Sequence, residues 1–154
     1  MKKLLVLILC AGLFIGCASV KEAQNLSDCT YTLKSVEISD YNLTSLDFLV
    51  TIAIKNPNKT EAATLKRFTG ELTANDTKIA DIELKDIKID PNTTKLAKAK
   101  VNVPMATLGS KLMGLLSMGS ATVDYHLTGT MYFEGPLGTE IPLPVDIGRI
   151  GSYN

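Results

Sequence analysis

The chain carries a single histidine, His126, in the run Asp124-Tyr125-His126-Leu127-Thr128. Alternate residues of a strand share one face, so Asp124, His126 and Thr128 stand together. A carboxylate, an imidazole and a hydroxyl are the parts of a general base beside a nucleophile. They also form the ordinary polar face of a half-buried strand, and the expected reading is an exposed imidazole with no catalytic residue. Asp81, Glu83, Asp86 and Asp90 form a second candidate cluster. A hard cation needs six to eight converging oxygens, and no Gly-containing calcium loop surrounds them. Lys78, Lys85 and Lys88 are interleaved with these acids, which predicts a solvated face of mixed charge. No zinc spacing, phosphate loop or dinucleotide fingerprint is present, so neither a metal nor a dissociable cofactor is expected. The chain does not read as an enzyme.

The chemistry that the spacing does predict lies at the N-terminus. Lys2 and Lys3 precede Leu4–Ile15, which contains no charge, and Gly16-Cys17 closes the run. Positive residues, a short apolar stretch and a small residue are the order of an export signal. The stretch is too short for a spanning helix, which needs ~20 residues. Phe14-Ile15-Gly16-Cys17 resembles the lipobox of bacterial lipoproteins. Cys10 is no rival, because the residue before it is the large Leu9. The resemblance implies cleavage between Gly16 and Cys17, a diacylglycerol thioether on Cys17 and an N-acyl chain on its new amino group. Membrane lipid is then a partner through the anchor. At ~0.8 kcal/mol per buried methylene, several acyl chains hold a protein firmly to a bilayer.

Loss of Lys2 and Lys3 with the signal leaves 14 basic and 16 acidic side chains, a formal charge of −2. Near-neutral charge, no Trp and only four Phe argue against a nucleic-acid partner. With Cys17 acylated, Cys29 is the only remaining thiol and no disulfide can form within the mature chain. Cys29 is expected to be a small buried or linker-proximal thiol, with pairing between chains as the other possibility.

Residues 18–30 are polar and aperiodic and read as a short tether. From Tyr31 the period is two. Leu46, Phe48, Val50, Ile52 and Ile54 alternate with polar residues and form the clearest strand, which stops at Asn56-Pro57-Asn58. Phe68 to Ala74 and Lys78 to Leu84 read as a hairpin about Asn75-Asp76. Ile87 and Ile89 precede a turn at Asp90-Pro91-Asn92. Ala97 to Val103 and Val123 to Phe133 alternate again. Leu108, Leu112, Leu115 and Leu116 recur at helical spacing, which predicts a helix over residues 105–117 packed on the open end of the sheets. In the last strand, Ile141 to Ile147, Pro142 and Pro144 forbid a central position and predict an edge or an irregular start. Seven short strands with polar turns predict an all-β, antiparallel seven-stranded β-sandwich with one short helix. Asn25, Asn42, Asn58, Asn75 and Asn92 each match the Asn-x-Ser/Thr sequon. In a β protein such triplets are expected as turn chemistry.

With these elements laid out, the domain resembles the group 2 late embryogenesis abundant proteins, also called the water stress and hypersensitive response (WHy) domain. The residues that carry the resemblance are the strand Phe48–Lys55 followed by Asn56-Pro57-Asn58, the hairpin at Asn75-Asp76, the strand Val123–Phe133 and the closing Ile141-Pro142-Leu143-Pro144. Family hairpins often carry Gly where Asp76 stands. The resemblance implies a folded sandwich like fibronectin type III, a structural role for Asn56, Pro57 and Asn58, and association with desiccation and other stress without catalysis. The expected organisation is a signal at residues 1–16, a lipidated tether at 17–30, the sandwich at 31–150 and a tail at 151–154. The expected function is a stress-protective or binding role at the bacterial envelope. A structural module docking onto another envelope protein is the alternative, and an apolar-ligand carrier a third reading. Ala18 stands where lipoproteins kept at the inner membrane usually carry Asp. This favours the outer membrane, facing the periplasm, where two membranes exist.

Overall fold

A computed structural model describes residues 27–110, 123–134 and 139–152. The expected signal at residues 1–16, Cys17, most of the expected tether, the expected helix positions beyond 110 and the expected Gly135-Pro136 turn lie outside the described residues. Seven strands follow in order: β1 (Thr30–Tyr41), β2 (Ser45–Lys55), β3 (Ala63–Ala74), β4 (Thr77–Ile89), β5 (Thr94–Pro104), β6 (Val123–Glu134) and β7 (Glu140–Ser152). All ladders are antiparallel. One sheet has the order β1-β2-β5 and the other β4-β3-β6-β7. β4 pairs with β3 and not with β5, so the split is three strands against four, with β7 at an edge as its two prolines require.

The alternating residues supply the core. Phe48, Val50, Ile52 and Ile54 of β2 face Phe68, Leu72, Leu127 and Met131 of the other sheet, all buried. Gly70 and Gly129 are cross-strand partners on the same inner face. Phe68 lies over both: a Cβ on Gly70 would stand 2.5 Å from its ring, and one on Gly129 2.6 Å. The two missing side chains thus make the slot that one aromatic ring fills, as aromatics do over strand glycines.

Alternation breaks where the spacing between core residues becomes three, at Leu65/Phe68 and at Leu84/Ile87. The breaks lie opposite one another, since Leu65 pairs with Ile87 and Phe68 with Leu84. Asp86, with a φ of 51°, absorbs the change on β4. Ile87 and Ile89 therefore continue the strand of Leu84 up to the turn that follows Ile89. The packed domain also extends beyond 31–150 at both ends. Cys29 is buried and Thr30 pairs with Lys55, so neither belongs to the tether. Gly151 and Ser152 pair with Asp124 and Val123, so they close β7 and are not tail. Residues 105–110 are helical, and Leu108 enters the core at the end of the sandwich.

Register defines two ends. Thr30, Lys55 and Thr94 mark the entry end, where the chain comes in. Tyr41, Ser45 and Pro104 mark the far end.

Candidate functional site

The proline-containing loop after β2 is built around one buried polar side chain. Asn56 is fully buried. Its amide Nδ2 donates to the carbonyls of Glu61 at 2.9 Å, Ile89 at 3.3 Å and Asp90 at 3.4 Å. Its Oδ1 accepts from the Asn58 backbone N–H at 3.0 Å. The backbone completes the clamp: Asn56 N–H donates to Thr93 O at 2.9 Å and Asn92 N–H to Asn58 O at 2.6 Å. Pro57 between them has no N–H to satisfy. The loop leaving β2 and the turn leaving β4 are thereby joined across the two sheets. Of the three motif residues, Asn56 carries the clamp and Asn58 shapes the loop.

Asn42 and Asn58 use the same device. In each, Oδ1 accepts from the backbone N–H of the residues two and three positions on and from the threonine hydroxyl at position two. An Asn-x-Thr triplet is what this cap needs. Asn75 and Asn92 have φ of 48° and 53°, in the left-handed region that Asn tolerates in turns. Four of the five sequons thus close turns; Asn25 lies outside the described residues.

His126 faces outward, as its strand position implies, but its partner is a residue the sequence did not single out. Its Nε2 lies 2.9 Å from Asp146 Oδ1 on β7. Asp146 also accepts from Gly148 N–H at 2.9 Å, where Ile147 is the extra residue of a bulge and Gly148 has a φ of 107°. These contacts, His126 first, hold the Asp146 carboxyl below its ordinary range. Thr128 does not join the pair. It lines an open depression of about 350 Å³ with Thr69, Gly70, Glu71, Asp81 and Gly129. Asp124 instead meets Arg149 at 2.7 Å, and Arg149 reaches Asp76 at 3.0 Å. The Asp124-His126-Thr128 row is therefore split among three neighbours.

The acidic cluster is dispersed in the same way. Lys78 bridges Glu71 at 3.1 Å and Asp81 at 2.8 Å, and Lys85 pairs with Glu83 at 3.0 Å. Arg67 pairs with Glu140 and lies 3.9 Å over the Tyr132 ring. Among the described residues no group of three or more His, Cys, Asp or Glu side chains is placed to hold a metal ion. No helix among them is long and apolar enough to cross a membrane. Cys29 is buried and in no disulfide among the described residues, and burial pushes its ionisation up. At the far end, Leu43 is 99 % exposed and Tyr41 77 % exposed on the hydrogen-bonded tip between β1 and β2.

A three-plus-four sandwich clamped at one end by Asn56 defines a class of all-β domain, and comparison with known proteins gives the family. The late embryogenesis abundant protein (LEA_2) profile matches residues 51–147, more than half of the chain. The chain belongs to this family. The solution structure of the Arabidopsis thaliana protein AT1g01470 is similar, with a TM-score of 0.60, 16% identity and 80% of each chain covered. The solution structure of the late embryogenesis abundant protein At2g46140.1 is similar at a TM-score of 0.53 and 16% identity, covering 99% of this chain and 88% of its own. At such identity these likenesses speak to the fold alone. No curated protein sequence matches.

Proposed function

We propose that the protein is a lipid-anchored envelope lipoprotein of the WHy type whose sandwich protects or binds envelope components under stress, without catalysis. The observation that carries the reading is a lipobox-type sequence, Phe14-Ile15-Gly16-Cys17, placed shortly before a self-contained late embryogenesis abundant domain. Family membership supports the stress-related role. The dispersal of His126 and the acidic residues into separate structural pairs supports a non-catalytic one. In this reading residues 1–16 are removed and Cys17 bears a diacylglycerol and an N-acyl chain. The domain faces the periplasm from the outer membrane where two membranes exist.

Metabolic labelling with palmitate tests the anchor: the intact protein takes label and the Cys17→Ala variant takes none. Equal labelling, or none in either, sinks it. Survival of cells with and without the gene after drying and freezing tests the stress role, and identical survival in both challenges removes it.

A second reading, docking onto another envelope protein, is favoured by the rigid far-end tip. Asn42 fixes the backbone there while Leu43 stands in solvent. A photo-crosslinker at Leu43 that captures no reproducible partner in cells counts against it. Leu108 of the helix is not available for such a contact, because it is buried.

A further inference from the structure

The two outer faces of the sandwich treat their charges differently. On the four-stranded sheet, Arg67, Lys78, Lys85 and Arg149 each pair with carboxylates of the same sheet or its turns, and Lys88 is the exposed lysine there without a carboxylate at ion-pair distance among the described residues. On the three-stranded sheet only Lys100 is paired, with Asp47 at 3.0 Å. Among the described residues Lys34, Lys55 and Lys98 have no carboxylate within ion-pair distance, and all three are exposed.

Their placement follows from the register. Thr30, Lys55 and Thr94 form the first row across the sheet, Thr32, Ala53 and Leu96 the second, and Ser35, Thr51 and Lys98 the third. Lys34 is the unpaired residue at the β1 irregularity between Leu33 and Ser35. Lys55 and Lys98 therefore flank Leu96, which is 55 % exposed, at the end where the chain enters the fold, and Lys34 lies two strands across on β1. Long lysine stems can lie on an apolar surface while their ammonium groups stand clear of it.

We propose that this entry-end face, which carries Lys34, Lys55, Lys98 and Leu96, docks onto an anionic phospholipid bilayer. Its polarity is what such a surface recognises: cations level with phosphate groups and one apolar side chain for the headgroup boundary. Its position matches the anchor, and this part of the argument rests on the lipid-anchor reading. Nine residues lie between Cys17 and Ser27, and the roughly ten Cα steps span at most ~36 Å. The chain enters at Thr30, in the row beside Lys55, so the face is delivered to the bilayer. The far-end tip at Leu43 stands about a strand length beyond it. A tethered face binds at high effective concentration, so modest intrinsic affinity suffices. Each lysine near an anionic surface strengthens binding about five-fold.

The test uses residues 17–154 carrying Cys17→Ala, which keeps all seven strands and the whole described core but bears no lipid. Flotation is measured with phosphatidylcholine vesicles, with and without phosphatidylglycerol. The expected result is flotation only with phosphatidylglycerol, weakened by added salt. Lys34→Gln/Lys55→Gln/Lys98→Gln reduces it by at least about ten-fold. Lys78→Gln/Lys85→Gln/Lys88→Gln, which removes as many charges from the other face, leaves it intact. Thermal melts establish that each variant is folded. Equal flotation on both vesicles, no flotation on either, or the same loss in both triple variants overturns the proposal. So does a photo-crosslinker at Leu96 that captures protein and not phospholipid in cells. Because this chain carries no acyl group, the vesicle result and palmitate labelling of Cys17 succeed or fail separately.

Discussion

Asn56, immediately after a strand of one sheet, donates its side-chain amide to the carbonyl of Ile89, the last residue of a strand in the other sheet, at 3.3 Å. A buried asparagine with all its neighbours satisfied is costly to remove, because the carbonyls and N–H it served are left dry. Asn56→Ala is expected to cost on the order of 2–4 kcal/mol in urea unfolding. Asn56→Asp should cost more at neutral pH, since a carboxylate cannot donate to the three carbonyls that Nδ2 meets. Its folded-state ionisation would be raised above the unfolded value, so the variant's stability falls as pH rises past about 4. An Asp variant that melts like the Ala variant across this range would show that the site admits water.

Gly129 has no room for a side chain. A Cβ there would lie 2.4 Å from the Thr69 carbonyl oxygen, a backbone atom, as well as against the Phe68 ring. Gly129→Ala should therefore destabilise by roughly 1–3 kcal/mol or more, from overpacking and not from any lost contact. Phe68→Leu empties part of the slot but leaves the carbonyl in place. The double variant should recover only part of the loss in thermal melts, and full recovery would mean that the ring alone sets the constraint.

The Asn75-Asp76 turn has positive φ at both central residues, 48° and 60°. This is the hairpin turn that suits strand twist and favours Asn-Gly. Asp76→Gly relieves the left-handed strain at the cost of one exposed ion pair with Arg149, which keeps its bond to Asp124. A gain of about 0.5 kcal/mol is expected. Asn75→Ala should act the other way, because Asn75 Oδ1 accepts from Asp124 N–H at 2.9 Å. A rise in melting temperature for Asp76→Gly with a fall for Asn75→Ala would support this account of the turn.

Acid should weaken the sandwich through two carboxylates. Asp47 is held below its ordinary range by Asn102 and then Lys100, and Asp146 by His126. A group with a depressed folded-state ionisation contributes stability above its unfolded value, near pH ~4, and loses it as pH falls through the folded value. Asp47→Asn/Asp146→Asn should therefore show a flatter dependence of stability on pH below about 4 than the parent. An identical acid limb in both proteins would assign the pH dependence to other groups.

Much of this architecture was legible in residue order. Leu46 to Ile54 announced β2 by strict alternation, Pro142 and Pro144 placed β7 at an edge, and the Asn-x-Thr triplets marked turns. What stayed hidden depends on register, which no single strand encodes. The bulge at Ile147 decides that His126 meets Asp146, and nothing near His126 in sequence reports it. The paired breaks at Leu65/Phe68 and Leu84/Ile87 look like lost periodicity until the two strands are set side by side. Gly129 interrupts an apolar series because a ring from another strand needs its place. Asn56 could be read as a turn residue, but its burial and its span to Ile89 could not.

β7 bears a further consequence in its two prolines. Neither can donate to β6, so each occupies a position whose N–H would point away from the ladder, along the edge turned towards β1. That edge offers a newcomer strand too few donors over residues 142–144. When water is withdrawn and neighbouring copies are forced together, open sheet margins are where chains fuse into cross-β polymers. In Pro142 and Pro144 this sheet has a margin that resists being zipped to another copy of itself.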